Sequence, residues 1–444
     1  MDYRESLEYL MKYADYERLP RSGIVWDIKR IERLCQRLGD PQYAARTVHV
    51  AGTKGKGSTS AMIASILKQA GYRTGLYTSP HLLSFTERIR FDSRPIAEAD
   101  WARLVEVLQP HVEAENAIGD LGELTTFEIL TAMAFLHFRR MNVQWAVVEV
   151  GMGGRLDATN VIESSVAVIT SIGADHTSVL GATPAQIAAE KAGIIRPEVP
   201  VVSGVAPGEA ATVIERVAER CEAPLVRADE RAVLRWLGDG PDGMRFTAEV
   251  EPWGRLELGC PLHGRHQLAN ASTALATLSV LIESGVEIEA EAVVDGFARA
   301  RWPGRLEPCP GEPRLWWDGA HNPDGFHALA QAWAQDLAFA PPATLVLALA
   351  QDKDVDGIAA ELLPWMKSSR LLATQSRNPR AMPAAELGRR LAAAGLEATV
   401  LPDVAAALDE ALVAEAKGRA LLCGSLFAVA EAMLGFGGAP GEWL

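Results

Sequence analysis

The feature that most constrains the fold is the alternation of short β-branched runs with longer stretches of helical periodicity. The run RTVHVA (46–51) is followed by a glycine-rich loop and then by SAMIASILKQAGY, which is apolar at helical spacing. The stretch TTFEILTAMAFLHFRRM (125–141) likewise leads into VQWAVVEVG (143–151), and VAVITSIG (166–173) precedes another helical pattern. Strands that alternate with helices in this way predict βαβ units and a mainly parallel sheet.

The pattern changes in the middle of the chain and then resumes. Within 229–262 the runs AVLRWLG, MRFTAEVEPWG and RLELGC are short and separated by turn residues, which predicts a small antiparallel sheet. The arginine-rich stretch ARARWPGRLE comes later, and beyond it a second series of strands alternates with alanine-rich helices. Because 444 residues exceed one ordinary core, we expect two α/β domains, over 1–298 and 307–444, joined by a linker over 299–306.

The loop after the first strand, HVAGTKGKGST, is similar to a phosphate-binding loop but departs from the Walker form G-x-x-x-x-G-K-[ST]. Gly55 and Lys56 are in place, whereas the first glycine is missing and the hydroxyl comes one residue late, at Ser58 or Thr59. The N–H groups of such a loop converge at the positive end of the helix dipole, and Lys56 would add a charge for the phosphates. A plain strand–helix turn is the alternative.

Polar side chains stand at the ends of other predicted strands. Ser79 ends the run RTGLYTS, Glu149 lies in an apolar run just before three glycines, and Asp175 and His176 follow VAVITSIG. Open α/β sheets bind ligands at the carboxyl ends of their strands. A buried carboxylate needs a partner or a cation, and Mg²⁺ prefers oxygen ligands. Each position alone fits an ordinary loop, but together they indicate a ligand or metal site.

Three further residues are candidates for chemistry. Lys191 stands on a predicted helix among alanine, glycine and isoleucine, which indicates a helix face packed against another element; a surface lysine is the alternative. In the second domain, Asp318 and His321 follow the strand RLWW, where Asn322 and Pro323 begin the next helix.

Composition argues against several classes of partner. The net charge of −14 disfavours broad binding to nucleic acid, which needs a basic face. Five widely spaced cysteines predict neither a disulfide framework nor a zinc site. The N-terminus has no apolar signal segment, and no run of about 18 apolar residues occurs. We expect a soluble, cytoplasmic protein without a membrane partner.

The whole chain resembles the Mur ligase superfamily, and most closely its folylpolyglutamate synthase/dihydrofolate synthase family. The resemblance runs in order through GTKGKGST, TSPHLLSFTERIR, TFEILTAMAF, EVGMGGRLDATNV, DHTSVLG, EKAGII, RWPGRLE and DGAHNP. The phosphate loop of that family, G-T-x-G-K-G-[ST], is shorter than the Walker form and matches HVAGTKGKGST. The resemblance implies an N-terminal P-loop-type ATPase domain and a smaller C-terminal Rossmann-like α/β domain, with substrates between them.

The resemblance also implies roles for residues of both domains. The loop that holds the ATP phosphates is Gly52, Thr53, Lys54, Gly55, Lys56, Gly57, Ser58 and Thr59. The other nucleotide contacts are Asn270, Arg305, Asp318 and His321. The magnesium ligands are Ser79, Glu149, His176 and, if carbamylated, Lys191. The residues expected to act in catalysis are Lys56, His176 and Lys191.

The reaction of that family uses ATP to convert a carboxylate into an acyl phosphate, from which the amine of L-glutamate displaces phosphate. The carboxylate belongs to dihydropteroate or is the γ-carboxylate of a folate. The resemblance implies ATP and two Mg²⁺ ions, with a monovalent cation as a further candidate, and a monomer whose partners are small molecules. Because folate-type substrates are anionic, Arg88, Arg155 and Arg380 are candidates to hold them.

Two other functions remain open at this point. A peptidoglycan-type Mur ligase acting on a UDP-linked muramyl substrate shares the chemistry, although SPHLLSFTERIR and the late hydroxyl favour a folate substrate. A nucleotide-binding regulator without ligase activity is the second, but it would not need the combined set of lysines and metal ligands. Dihydrofolate synthesis and polyglutamate extension both fit the sequence.

Overall fold

The structure is a computed structural model that describes residues 1–14, 27–173, 177–240, 242–413 and 418–436. Its helices are α1 (Tyr3–Leu10), α2 (Lys29–Arg37), α3 (Lys56–Gln69), α4 (Glu98–Asn116), α5 (Thr126–Arg140), α6 (Thr177–Leu180), α7 (Pro184–Lys191), α8 (Glu209–Arg220), α9 (Ala228–Arg231), α10 (Gln267–Glu283), α11 (Ala290–Arg299), α12 (Pro323–Gln331), α13 (Val355–Leu362), α14 (Ala384–Ala393), α15 (Val404–Val413) and α16 (Leu426–Gly435). Its strands are β1 (Arg46–Ala51), β2 (Thr74–Tyr77), β3 (Ile89–Phe91), β4 (Arg94–Pro95), β5 (Trp145–Glu149), β6 (Ser164–Ile169), β7 (Val201–Ser203), β8 (Leu225–Arg227), β9 (Val233–Gly240), β10 (Gly243–Val250), β11 (Gly254–Cys260), β12 (Glu307–Cys309), β13 (Glu312–Trp317), β14 (Thr344–Ala348), β15 (Arg370–Thr374), β16 (Thr399–Val400) and β17 (Ala420–Cys423).

The strands of the described residues form three sheets. The first has eight strands in the order β4-β3-β2-β5-β1-β6-β7-β8 and is parallel except for β3 and β4 at one edge. The second is antiparallel, in the order β11-β10-β9. The third has six strands in the order β12-β13-β17-β14-β15-β16 and is parallel except for β12. The predicted fold class is confirmed.

The eight-stranded sheet is covered on both faces, and its central strands are therefore apolar without alternation. On β5, Val147 belongs to a core shared with α3, α10, α11 and the small antiparallel sheet. The next residue, Val148, belongs to a core shared with α2, α4 and α5 on the other face. Two-sided burial of this kind explains why the run WAVVEV reads as a continuous apolar segment.

The glycine loop between β1 and α3 depends on close backbone packing. Gly55 precedes α3 with φ of 81°, in the left-handed region that favours glycine, and a Cβ there would lie 2.0 Å from Asn270 Oδ1. A Cβ on Gly57 would lie 2.3 Å from the Trp302 ring. The helix therefore begins at Lys56, earlier than the apolar pattern predicts, because the end of the loop forms the first turn.

The two α/β halves meet between α11 and β12. The helix α11 ends at Arg299 and the strand β12 begins at Glu307, so the segment predicted as a linker connects them. The exact domain boundaries stay a prediction. Among the described residues, none of the helices has both the length and the apolarity that crossing a bilayer requires.

Candidate active site

A cavity of about 670 Å³ is lined by residues from both α/β halves. Its volume lies within the range of small-molecule sites. Residues that follow β1, β2, β5, β6 and β7 line it from the first sheet, and residues that follow β13, β14, β15 and β17 line it from the third. These are the strand ends at which α/β sheets bind ligands. The cavity is therefore the candidate active site.

Most of the predicted phosphate loop lines this cavity. The lining residues of the loop are Thr53, Lys54, Gly55, Lys56, Gly57 and Ser58. Gly52 instead packs against Thr170, where a Cβ would come 1.9 Å from Oγ1. Thr59 is fully buried behind the loop. Of the two candidate hydroxyls, Ser58 is thus the one that faces the ligand space.

Two lysines converge on the carbonyl oxygen of Gly52. Lys56 Nζ donates to it at 3.2 Å, and Lys191 Nζ donates to it at 2.8 Å. Lys191 is only 4% exposed, so it is not a surface lysine. The predicted close packing of its helix is confirmed, since a Cβ on Gly154 would lie 2.8 Å from the Lys191 carbonyl oxygen. The shared acceptor concentrates positive charge beside the loop, which favours an anion there.

Glu149 is the buried carboxylate of the site. It ends β5, lies beside the phosphate loop strand β1, and accepts a hydrogen bond from the Ser79 N–H at 3.2 Å. Burial raises the pKa of Glu149 to about 7, while the Lys56 ammonium, the Ser79 N–H and Arg305 partly offset that effect. A carboxylate that burial makes costly to ionise is a suitable partner for a bound cation.

The structure brings only part of the predicted metal site together. Ser79 and Glu149 are neighbours, and both line the cavity. His176 and Asp175 lie outside the described residues, so the histidine ligand stays a prediction. No group of three His, Cys, Asp or Glu side chains suited to a metal occurs in the part of the chain that the structure describes. The hydroxyl and carboxylate oxygens present are of the type that Mg²⁺ prefers.

The other predicted nucleotide residues, Asn270, Arg305, Asp318 and His321, also line the cavity. Asn270, at the start of α10, lies against Gly55 and donates from Nδ2 to Gln267 at 2.7 Å. Asp318 accepts from the N–H groups of Leu306 and Ala320, at 2.8 and 2.7 Å. Both carboxylate oxygens of Asp318 thereby hold backbone turns, one of which carries Arg305. That turn directs Arg305, and the turn after β13 directs His321, to the cavity wall.

The three arginines predicted for substrate differ in position. Arg88 lines the cavity, is buried, and donates from Nε to His81 Nδ1 at 2.8 Å. Arg380 also lines it and pairs with Asp352 at 3.2 Å. Arg155 does not line it, and its guanidinium instead pairs with Glu190, 2.9 Å away. The substrate role predicted for Arg155 is therefore not supported.

Sequence reasoning missed two ends of the cavity. One is aromatic and apolar, and its wall includes Phe85, Phe127, Leu130, Met152 and Leu156. The other is polar and includes Lys353, Ser376, Asn378 and Ser425. The polar end could have been found, because these residues follow β14, β15 and β17, and the strand-end rule that selected Ser79 applies there too. The apolar end had no local signal, because its side chains come from separate segments.

A buried histidine lies behind the site. His49 Nε2 is 2.8 Å from Thr159 Oγ1, and the Thr159 hydroxyl donates in turn to Asp157 on the cavity wall. Burial lowers the pKa of His49 to about 3, with Arg196 contributing in the same direction. The imidazole is therefore neutral in the folded protein at pH values where an unfolded chain protonates it.

We expect His49 to make the stability of the protein depend on pH. Because its folded pKa is depressed, the unfolded state binds the extra proton, and the free energy of unfolding falls as pH drops below about 6.5. His49→Gln should reduce the pH dependence of the free energy of unfolding by up to the contribution of one proton. That contribution is about 1.4 kcal/mol per pH unit between roughly pH 4 and 6. Urea unfolding across that range measures the slope, with the exposed His327→Gln as the matched control. An unchanged slope in His49→Gln contradicts the expectation.

Comparison with known proteins agrees with this geometry. Residues 50–278 match the Mur ligase middle domain, and residues 304–426 match the Mur ligase glutamate ligase domain. The chain therefore belongs to the Mur ligase family, and within it to the folylpolyglutamate synthase/dihydrofolate synthase group to which its relatives belong.

The relatives cover most of the chain. The dihydrofolate synthase/folylpolyglutamate synthase of Bacillus subtilis is 41% identical over 71% of this chain and 74% of its own. Mycobacterium tuberculosis folylpolyglutamate synthase complexed with ADP superposes with a TM-score of 0.88 at 35% identity, over 99% of this chain and 100% of that one. Escherichia coli FolC in complex with DHPP and ADP gives 0.82 at 32% identity, over 98% of each chain. The family resemblance seen in the sequence is confirmed.

Proposed function

We propose that the protein is an ATP-dependent ligase that joins L-glutamate to dihydropteroate, to the γ-carboxylate of a tetrahydrofolate, or to both. The observation that carries this proposal is the continuity of one cavity. Between the two α/β domains, it joins a phosphate loop and a buried carboxylate to the apolar end and the polar end. The ADP and DHPP named for the related structures support the same pair of ligands here.

The proposed reaction has two steps. An oxygen of the substrate carboxylate attacks the γ-phosphorus of ATP, the bond to the β-phosphate oxygen breaks, and ADP leaves. The neutral amine of glutamate then attacks the acyl carbon, phosphate leaves with the bonding electrons, and the amine loses a proton. Transfer of this kind depends on positioning and on neutralising charge. Lys56, Ser58 and the loop N–H groups hold the phosphates. Arg305 of the linker and His321 of the second domain approach them.

Ser79 and Glu149 would hold Mg²⁺, together with His176 as a predicted third ligand. Their oxygen donors and the buried charge of Glu149 fit that ion. When bound, Mg²⁺ would neutralise phosphate charge during transfer. Asn270 would position the nucleoside, and Asp318 would position the turn that carries Arg305. Domain boundaries at 298 and 307 would place Arg305 within the linker.

The apolar end would accept the fused aromatic ring of the substrate. Phe127 lies across the turn at Gly151, where a Cβ would come 2.5 Å from its ring. The buried pair Arg30–Glu128, 3.1 Å apart, also lines the cavity and would offer polar contacts for ring heteroatoms. Arg88 lines the same cavity, where it would contact the carboxylate that reacts.

The polar end would accept glutamate. Lys353 and Arg380 provide positive charge for its carboxylates, and Asn378 and Ser425 provide hydrogen-bonding groups. Asp352 lies between the two basic residues, 3.4 Å from Lys353 and 3.2 Å from Arg380. That carboxylate fixes both side chains and limits the excess of positive charge. Two basic groups facing one space suit an amino acid with two carboxylates.

We expect Lys191 to be carbamylated in the active enzyme. The neutral amine would attack carbon dioxide and release a proton, which gives an anionic oxygen ligand next to the site. Burial disfavours the charged ammonium form of Lys191, and its contact with the Gly52 carbonyl would place a carbamate beside the phosphate loop. Lys191→Ala should then lose about 10²-fold or more in activity and regain part of it with acetate or formate.

A purely structural lysine gives a different result for the same variant. Lys191→Ala would lose activity because the hydrogen bond to the Gly52 carbonyl is lost, and small carboxylic acids would not restore it. Carbon-13 NMR of wild type equilibrated with labelled bicarbonate provides a direct check. Absence of both a carbamate signal and carboxylate rescue contradicts carbamylation.

One assay tests the proposed function. ADP release is measured with L-glutamate plus dihydropteroate, tetrahydrofolate or a UDP-linked muramyl acceptor, each in a separate reaction. Turnover with either pteridine substrate, and not with the muramyl compound, is expected. Turnover with the muramyl acceptor alone indicates a peptidoglycan-type ligase, and nucleotide binding without turnover on any acceptor indicates a regulator.

A further inference from the structure

One buried cation has no role in the site described so far. Arg90, on β3, is 4% exposed. Among the described residues its side chain makes no hydrogen bond or ion pair, and its Nε is fully enclosed without an acceptor. Its guanidinium lies 5.3 Å from the centroid of the Trp302 ring, and the carboxylates of Glu87 and Glu149 act on it electrostatically without forming an ion pair. A buried guanidinium carries five N–H donors, and leaving them unpaired is strongly unfavourable.

Arg90 faces a small chamber next to the active site. The chamber has a volume of about 50 Å³ and shares Gly57, Ser79, Glu149 and Arg305 with the wall of the main cavity. Such a volume holds roughly three to five water-sized positions, which is enough for one tetrahedral oxyanion. Trp302, in the linker, forms part of the chamber wall and packs closely against Gly57.

The charges around the chamber favour an anion in spite of two carboxylates. Glu87 accepts from three backbone N–H groups, of Leu82, Leu83 and Ser84, at 2.8, 2.8 and 2.7 Å, so its charge is already satisfied. Glu149 is the proposed ligand of a metal ion, which would offset its charge. Arg90, whose side chain makes no hydrogen bond among the described residues, is then the group in need of a partner, and Arg305 adds positive charge to the same wall.

We propose that this chamber binds inorganic phosphate, the small oxyanion that the reaction releases, through Arg90. The inference rests on the proposed function only for the origin of the phosphate. Arg90 is ideally shaped for it, because a guanidinium fork donates two parallel hydrogen bonds to an oxyanion. The chamber adjoins Ser79 and Glu149, so phosphate would reach it without passing the nucleotide. Because Trp302, Pro303 and Arg305 form part of its wall, it exists only while the linker packs on the phosphate loop.

Calorimetry on the enzyme saturated with Mg²⁺ and ADP tests the proposal directly. Because ADP occupies the phosphate loop, the calorimeter measures the binding of added inorganic phosphate in the space that ADP leaves free. Arg90→Met should weaken phosphate binding by at least about tenfold, and Arg90→Lys by less, because Lys keeps the charge without the fork. Arg94→Met is the matched control, since Arg94 is an exposed arginine four residues further along. Equal phosphate affinity in wild type and both Arg90 variants overturns the proposal.

A second arm separates released phosphate from the γ-phosphoryl group of ATP. The calorimetry is repeated with AMPPCP in place of ADP. Phosphate that still binds, and still depends on Arg90, is expected. If AMPPCP excludes phosphate and Arg90→Met weakens AMPPCP itself, Arg90 serves the γ-phosphoryl group and the proposal is wrong.

Wild-type crystals provide a check that does not depend on the folding of variants. Selenate is a tetrahedral oxyanion with an anomalous signal, and it is soaked into crystals of the ADP complex. A peak within hydrogen-bonding distance of Arg90 is expected, and water density alone in the chamber overturns the proposal. Neither measurement uses a folate or glutamate, so absent ligase activity would sink the proposed function without touching this result.

Discussion

Lys56→Met should lower the rate of ADP formation by about 10²- to 10³-fold. Lys56 is the first residue of α3, and its ammonium folds back to the Gly52 carbonyl beside the loop N–H groups. An ATP γ-phosphate at the loop would take over that contact, so the variant removes a charge that acts during transfer. Methionine keeps the apolar length of the side chain, and the fold should survive. ADP release at saturating substrates measures the effect.

The control for this variant is a lysine outside the cavity. Lys367→Met removes an exposed lysine of the second half and should leave ADP release unchanged. Thermal unfolding of both variants separates loss of catalysis from loss of structure. Near-normal ADP release by folded Lys56→Met means that the loop does not bind the phosphates as proposed.

Glu149→Gln should change activity and stability in opposite directions. Burial raises the pKa of Glu149 to about 7, so its ionisation is disfavoured in the fold. A raised pKa means that the folded state keeps its proton while the unfolded state loses it, and the free energy of unfolding falls as pH rises from about 4.5 to 7. The glutamine variant lacks this loss and should gain on the order of 1–3 kcal/mol over wild type at pH 8, without ligands, and little at pH 4.

The same variant should lose most of its ligase activity, because an amide is a poor replacement for an anionic magnesium ligand. The Mg²⁺ concentration needed for half-maximal rate should rise in any activity that remains. Glu397→Gln, at an exposed site, is the matched control for both measurements. A variant that keeps its activity and its Mg²⁺ dependence would falsify the metal-ligand assignment of Glu149.

The sequence was a good guide where one local pattern decides one local structure. The runs 46–51, 143–151 and 166–173 each overlap a strand of the parallel sheet, and the three short runs before residue 262 form the antiparallel sheet. Strand ends also predicted the cavity residues Ser79, Glu149, Asp318 and His321. These predictions succeed because the carboxyl ends of parallel strands necessarily lie at one edge.

The sequence was a weaker guide where a long side chain chooses among distant partners. Arg155 follows the glycines after β5 and pairs with Glu190 rather than lining the cavity. Arg88, in a similar motif, turns inward to His81. Sequence spacing does not distinguish the two, because a guanidinium on a flexible stem reaches in either direction and the nearest acceptor decides.

By itself, the sequence determined the class of fold, the order of the elements and the family, because periodicity and eight ordered motifs are properties of the chain alone. The tertiary structure decided which side chains share a space. It placed Lys191 and Lys56 on one carbonyl oxygen, chose Ser58 over Thr59, and enclosed Arg90 with Trp302 without a hydrogen-bond partner among the described residues. The physical reason is that burial and charge pairing depend on groups far apart in sequence, which only the packed fold brings together.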